Sequence, residues 1–207
     1  FRSEIHIMKK QIIWLEDILK IFNFFLILFF LFFSSNKLYA AERWVLDKNL
    51  STIEFELPVL LANNVKGKFN NIEGYVELDV EKKINNKAIF SVQINDLDMN
   101  YIKYKDLLLS NIFFDVFQFP KAVVDTKKFS YDNEKEILLN VELTLKGKNE
   151  TVPLTIYVTR LAEELVQIQS ELIFSRTKFN IGINKWQNTK ILKDKVKLKT
   201  NFFLFRE

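Results

Sequence analysis

Apolar and polar positions alternate along residues 137–158, ILLNVELTLKGKNETVPLTIYV. Ile137, Leu139, Val141, Leu143 and Leu145 mark one arm, and Val152, Leu154, Ile156 and Val158 the other. Successive side chains of a strand point to opposite faces, so each arm predicts a strand with one greasy face and one mostly wet face. Lys146, Gly147, Lys148, Asn149 and Glu150 predict a glycine-bearing loop joining the arms as an antiparallel hairpin. Such a hairpin cannot bury its own apolar face and needs more sheet to close over it.

The same pattern recurs through the chain. Trp44 to Asp47 leads into Ile53, Phe55 and Leu57, with Thr52, Glu54 and Glu56 on the other face. Ile72, Val76 and Leu78 alternate with Glu73, Tyr75, Glu77 and Asp79, and Ala88, Phe90, Val92 and Ile94 with Ile89, Ser91, Gln93 and Asn95. After the hairpin come Val166, Ile168, Leu172 and Phe174, then Val196, Leu198, Phe202 and Leu204. Short strands of this kind predict an all-β barrel or sandwich. Residues 100–116, NYIKYKDLLLSNIFFDV, lose the alternation, and Tyr101, Tyr104, Leu107 and Leu108 fall near helical spacing. A short helix or an extended loop is expected there.

The N-terminal region has a different character. Met8-Lys9-Lys10 precedes an apolar core from Ile21 to Phe33, then Ser34, Ser35 and the run Leu38-Tyr39-Ala40-Ala41. This order predicts a signal peptide, cut after Ala40, that sends the folded part to the periplasm. An uncleaved amphipathic anchor is the other reading. The expected division is residues 1–40 as extension and signal peptide and 41–207 as one β-domain.

Composition narrows the chemistry. There is no cysteine, and the one histidine, His6, precedes the apolar core. Thiol nucleophiles, disulfides and thiolate metal sites are excluded, as are imidazole-based triads and zinc sites beyond His6. A formal net charge of +4, with lysines spread along solvent faces, is no nucleic-acid footprint. Four glycines leave no glycine-rich phosphate loop. Asp96 with Asp98, and Glu163 with Glu164, lie close in sequence but fall in turns without a nucleophile or metal-ligand spacing, so no catalytic residue and no cofactor is assigned.

Four segments then carry a resemblance. GKFNNIEGYVELD (67–79), LLSNIFFDVFQFPKAVV (108–124), VELTLKGKNETVPLTI (141–156) and SRTKFNIGINKW (175–186) follow one another before the closing KDKVKLKTNFF. In that order they resemble the YceI-like, polyisoprenoid-binding family. The resemblance implies an eight-stranded antiparallel, lipocalin-like β-barrel with one short helix. It also implies an apolar interior holding a polyisoprenoid, an isoprenoid quinone or a quinone precursor, in a binding protein rather than an enzyme. A membrane cytochrome or a lipid-handling protein is the implied partner, and a homodimer is left open. The chain departs from the family pattern in lacking the histidines that many members carry near Val59 and near Met99 to Lys105.

Inward apolar faces fit two interiors: an ordinary filled core, and a tunnel walled for a ligand. The resemblance favours the tunnel, and its candidate wall is Phe55, Phe69, Val76, Leu78, Phe90, Val92, Leu143, Leu145, Ile156, Ile168 and Phe174. Phe113, Phe114, Phe117 and Phe119 are expected to cap one barrel end or to gate it, with Asp115 as a turn former. Phe179 and Trp186 join the lipid-binding candidates, Trp186 packing over a barrel end or offering its N–H to a ligand oxygen. Arg176 is expected to pair with a carboxylate on a neighbouring strand or to meet a head group at the pocket mouth. A filled barrel acting as an envelope interaction module is the alternative function.

Overall fold

The computed structural model describes residues 19, 20, 22–24, 41–57, 64–79, 83–132 and 134–207. The chain divides into two compact units, Phe1–Tyr39 and Ala40–Glu207. Of the predicted signal segment only residues 19, 20 and 22–24 are described, and these are helical; its remainder, like Val59, lies outside the described residues.

Among the described residues the second unit has eleven strands and one short helix. The strands are β1 (Glu42–Leu46), β2 (Thr52–Leu57), β3 (Val65–Phe69), β4 (Ile72–Leu78), β5 (Asn86–Gln93), β6 (Leu97–Met99), β7 (Lys121–Phe129), β8 (Glu136–Leu145), β9 (Lys148–Ala162), β10 (Leu165–Ser175) and β11 (Lys195–Arg206). Helix α1 (Lys105–Leu109) follows a 3-10 turn at Ile102–Tyr104, in the segment where alternation fails. The first six strands join in pairs. β2 and β1 lie end to end along β11, pairing with Lys197–Asn201 and Leu204–Arg206, while β4 pairs with β5 and β3 with β6. The consecutive strands β1–β2, β3–β4 and β5–β6 each act as one interrupted ribbon, so eight antiparallel ribbons run in sequence and the β1–β11 pairing closes them into a barrel. Closure removes the exposed edges that would invite aggregation.

The interruptions are chemically satisfied. Between β1 and β2 the chain bulges out at residues 47–51, where the Asp47 carboxylate accepts from the Asn49 and Leu50 N–H groups. Buried Ser51 then offers its hydroxyl oxygen to Phe203 N–H at 3.0 Å and restores the contact with β11. On β7 the register slips by one residue opposite Ala88, and the buried Thr126 hydroxyl accepts from Ala88 N–H at 2.8 Å in place of the lost ladder bond.

The hairpin differs from its prediction in one respect. Leu145 pairs directly with Lys148, so the turn is two residues, Lys146 and Gly147, and Lys148 to Glu150 belong to β9. Both turn residues have positive φ, +50° and +70°, a geometry whose twist matches that of the flanking strands. Alternation holds along both arms: Val141, Leu143, Leu145, Val152 and Leu154 are buried, while Leu138 is 77% exposed.

Candidate functional site

Because the ribbons alternate up and down, the chain connections collect at two ends. One end gathers the start of β1, the β4–β5, β7–β8 and β9–β10 connections and the end of β11. The other gathers α1, the phenylalanine-rich segment, the Lys146–Gly147 turn and the β10–β11 connection.

The second end is filled by a floor. Leu97, Leu108, Phe113, Phe179, Ile181 and Leu192 are all buried in one cluster. Gly182 and Ile183 N–H both donate to the Ile112 carbonyl, tying the β10–β11 connection to the segment after α1. Phe113 stacks obliquely on Trp186 at 5.8 Å, and Phe179 meets Phe174 edge-on at 5.5 Å. Lys146 Nζ donates to the carbonyls of Asn111 and Asn180, and burial lowers its pKa.

Arg176 locks this floor. It is fully buried and, among the described residues, pairs with no carboxylate within ion-pair distance. Instead its guanidinium donates to the backbone carbonyls of Ile181 (2.7 Å), Leu192 (2.6 Å) and Lys193 (2.9 Å). The expected strand-to-strand salt bridge and the mouth position are both corrected: five fixed donors suit a ring of orphan carbonyls in an irregular loop. Burial lowers the Arg176 pKa, and the charge of Asp194 opposes that effect. Burial also pushes the Asp194 carboxyl up, but bonds from Thr177 and Ser175 and the Arg176 charge outweigh it and leave it below its ordinary value. Thr177 supplies both its hydroxyl, at 2.7 Å, and its N–H, at 3.1 Å.

Above the floor the barrel is hollow. A cavity of about 880 Å³ runs from Phe114, Leu145 and Phe174 near the floor to Glu42, Asn86 and Arg160 at the other end. This is within the usual range of small-molecule sites, about 300–1,000 Å³. Phe55, Phe69, Val76, Leu78, Phe90, Val92, Phe114, Leu143, Leu145, Ile156, Ile168 and Phe174, all candidate residues, line it. Phe113, Phe119, Phe179 and Trp186 do not. Phe113, Phe179 and Trp186 pack into the floor, and Phe119 lies against Gly147, where an added Cβ would sit 3.0 Å from its Cζ. Phe117 is 97% exposed and takes no part in the cap. Asp115 occupies a tight turn at φ +54°, its carbonyl accepting from Gln118 and Phe119 N–H.

Several wall residues were not singled out from the sequence. Trp44, Phe129, Phe202 and Leu204 continue the inward rows, as do Ser170 and Thr200, whose hydroxyls share a 2.7 Å hydrogen bond. The alternation of β10 and β11 passes through both hydroxyl residues, so their inward position was open to reading despite their polarity. Among the described residues the rim carries Glu42, Asp79, Lys83, Glu134, Lys135 and Arg160, three acids and three bases. At the rim burial, helped by the Glu134 charge, raises the Tyr131 pKa and keeps its phenol neutral.

The sequence-adjacent carboxylates lie away from this cavity. Asp96 accepts from the Asn71 amide at 2.8 Å, Asp98 pairs with Lys68 at 3.5 Å and Glu163 with Arg206 at 3.4 Å. No group of three or more potential metal ligands occurs among the described residues.

The fold has solved counterparts. Burkholderia cenocepacia BcnA superposes with a TM-score of 0.69 at 22% identity, covering 76% of this chain and 98% of that one. A polyisoprenoid binding domain from Saccharophagus degradans, described as implicated in plant cell wall breakdown, gives 0.63 at 15% identity, with 82% and 100% covered. A Campylobacter jejuni YceI protein gives 0.60 at 19% identity, with 72% and 89% covered. No curated protein matches the chain. The YceI-like domain model matches residues 44–204, nearly the whole barrel, and the chain belongs to that family.

Proposed function

We propose that the barrel is a lipid-binding protein that sequesters or carries a polyisoprenoid, an isoprenoid quinone or a quinone precursor. The observation that carries this reading is the continuous cavity of about 880 Å³, lined mainly by apolar side chains and polar at its rim, at Ser91 and Thr126 and at the Ser170–Thr200 pair. A filled interior would have left the interaction-module reading in front. Each CH₂ moved from water into such a wall contributes roughly 0.8 kcal/mol, so a few prenyl units supply affinity without dedicated polar contacts. The S. degradans relative, described as polyisoprenoid-binding, supports the same ligand class.

Binding rather than turnover is the activity we assign. The Ser170 and Thr200 hydroxyls bond to each other and that of Thr126 to backbone, and the lining carboxylates sit at the solvated rim. The basic start and apolar core of residues 8–33 support export, and we place the barrel, residues 41–207, in the periplasm. The test is native purification followed by solvent extraction and mass spectrometry, with added isoprenoid quinone as a second arm. A protein that emerges without isoprenoid and also rejects the quinone would sink the proposal.

A further inference from the structure

Among the described residues a single buried side-chain nitrogen or oxygen lacks a hydrogen-bond partner: the indole Nε1 of Trp44. Trp44 is only 3% exposed and lines the cavity one residue pair inside the rim. It stands opposite Val76 on one side and Arg206 on the other, with the Arg206 guanidinium 6.0 Å from its ring centroid. Buried indole N–H groups normally find an acceptor, because leaving one unmet forfeits its hydration with no return.

The other buried polar side-chain atoms of the described wall are already satisfied. Ser170 and Thr200 bond to each other, and Thr126 bonds to the Ala88 backbone. Asn86 accepts from Asp79 N–H and donates to the carbonyls of Lys83 and Phe129. The one unmet buried polar atom of the described wall is therefore a neutral donor near the open end. Among the described residues the three acids and three bases of the rim cancel, and Arg206 beside Trp44 is held by Glu42 and Glu163, so no excess of positive charge faces an anionic head.

We propose that Trp44 is the head-group anchor: its Nε1–H donates to an uncharged oxygen of the ligand, a quinone carbonyl or an alcohol. The ligand then lies with its head at the open end and its tail running toward Phe114 and Phe174. Trp44 already forms part of the wall while its Nε1 is closed to solvent, so binding in this way requires the indole to turn its N–H edge toward the ligand oxygen. This inference rests on the lipid-binding reading above and adds the orientation and polarity of the ligand to it.

The experiment measures competition for a fluorescent apolar probe held by the cavity. The competitors are a prenyl quinone, the hydrocarbon of equal carbon count and the equivalent prenyl diphosphate. They are tested on the wild type, on Trp44→Phe, which keeps a ring but loses the donor, and on Ser170→Ala/Thr200→Val. One neutral hydrogen bond in an apolar site corresponds to a loss of about five- to tenfold. We expect Trp44→Phe to lose that factor for the quinone and to keep hydrocarbon affinity within about twofold, with the diphosphate the weakest ligand of the wild type. An equal loss for quinone and hydrocarbon, no loss for either, the larger loss in Ser170→Ala/Thr200→Val, or a diphosphate that outcompetes the quinone would each overturn the anchor while leaving lipid binding intact. If the wild type bound none of the three, both readings would fall. Circular dichroism of each variant confirms that the barrel is folded, and Ser170→Ala/Thr200→Val keeps the comparison informative if Trp44→Phe does not fold.

Discussion

Phe90 lies across Gly74, its partner on the neighbouring strand: a Cβ on residue 74 would stand 2.9 Å from Phe90 Cε1 and 2.7 Å from the Ile89 carbonyl oxygen. The Phe90 ring in turn rests on Phe202 at 4.8 Å and forms part of the cavity wall. The absent side chain is thus what lets an aromatic fold back over the sheet. Gly74→Ala is expected to cost about 1–3 kcal/mol of stability, as overpacking does. It should also push Phe90 into the cavity and lower ligand capacity. Urea denaturation and a lipid-binding titration on the same variant check both effects; an unchanged midpoint would show that the strands part easily.

Ala122 lines the cavity opposite Val92, on the floor side of the bulge at Thr126. Ala122→Phe should fill that depth without touching the rim. With each further CH₂ contributing up to ~0.8 kcal/mol until the space is used, the affinity of the variant should stop rising with tail length about one prenyl unit before that of the wild type. Competition binding over a series of tail lengths reads this directly, and identical plateaus would mean that the tail does not reach the floor.

Arg176→Met removes the donors that hold the carbonyls of Ile181, Leu192 and Lys193 and leaves those acceptors buried. A destabilisation of about 3 kcal/mol is expected, at the high end for single substitutions. Chemical denaturation measures it. A change under about 0.5 kcal/mol would mean that water replaces the guanidinium at no cost.

Asp194 gives the floor a dependence on pH. Its folded-state pKa is lowered, chiefly because bonds from Thr177 and Ser175 and the Arg176 charge outweigh the opposing effect of burial. The folded protein therefore binds this proton less readily than the unfolded chain, and stability rises with pH across the interval between the two values. That contribution is fully present above the ordinary carboxylate pKa and is lost as pH falls through the lower folded value. Asp194→Asn should flatten the acid limb of a stability-against-pH curve, with little slope added near neutrality. A limb as steep as that of the wild type would assign the acid sensitivity to other carboxylates.

Much of the wall was legible because strand side chains repeat every two residues, a purely local rule. Phe55, Val76, Phe90, Leu143, Ile156 and Phe174 all face the cavity as their positions predicted. The residues that line no part of the cavity lie where that rule stops. Phe113, Phe179 and Trp186 belong to irregular segments with no period to point them, and they pack into the floor, Phe113 and Trp186 there forming the expected cap of one barrel end. The hairpin turn was read too long because Lys148 to Glu150 are polar on both faces, yet they pair with Leu143 to Leu145. Nor could spacing along the chain show that Arg176 would be held by carbonyls up to 17 residues away.

The amino-acid order alone determined the strands, the faces they bury and the exclusion of thiol and imidazole chemistry from the barrel, since these follow from neighbouring residues and from composition. Only the tertiary structure decided that the greasy faces enclose a space rather than fill it. The volume left over depends on how β1 meets β11 across the whole domain and on where Gly74 and Gly67 let Phe90 and Phe55 lie flat. The same closure isolates the Trp44 N–H from every acceptor in the described chain. These are differences between a curved surface and the volume it surrounds, which no local pattern of side chains encodes.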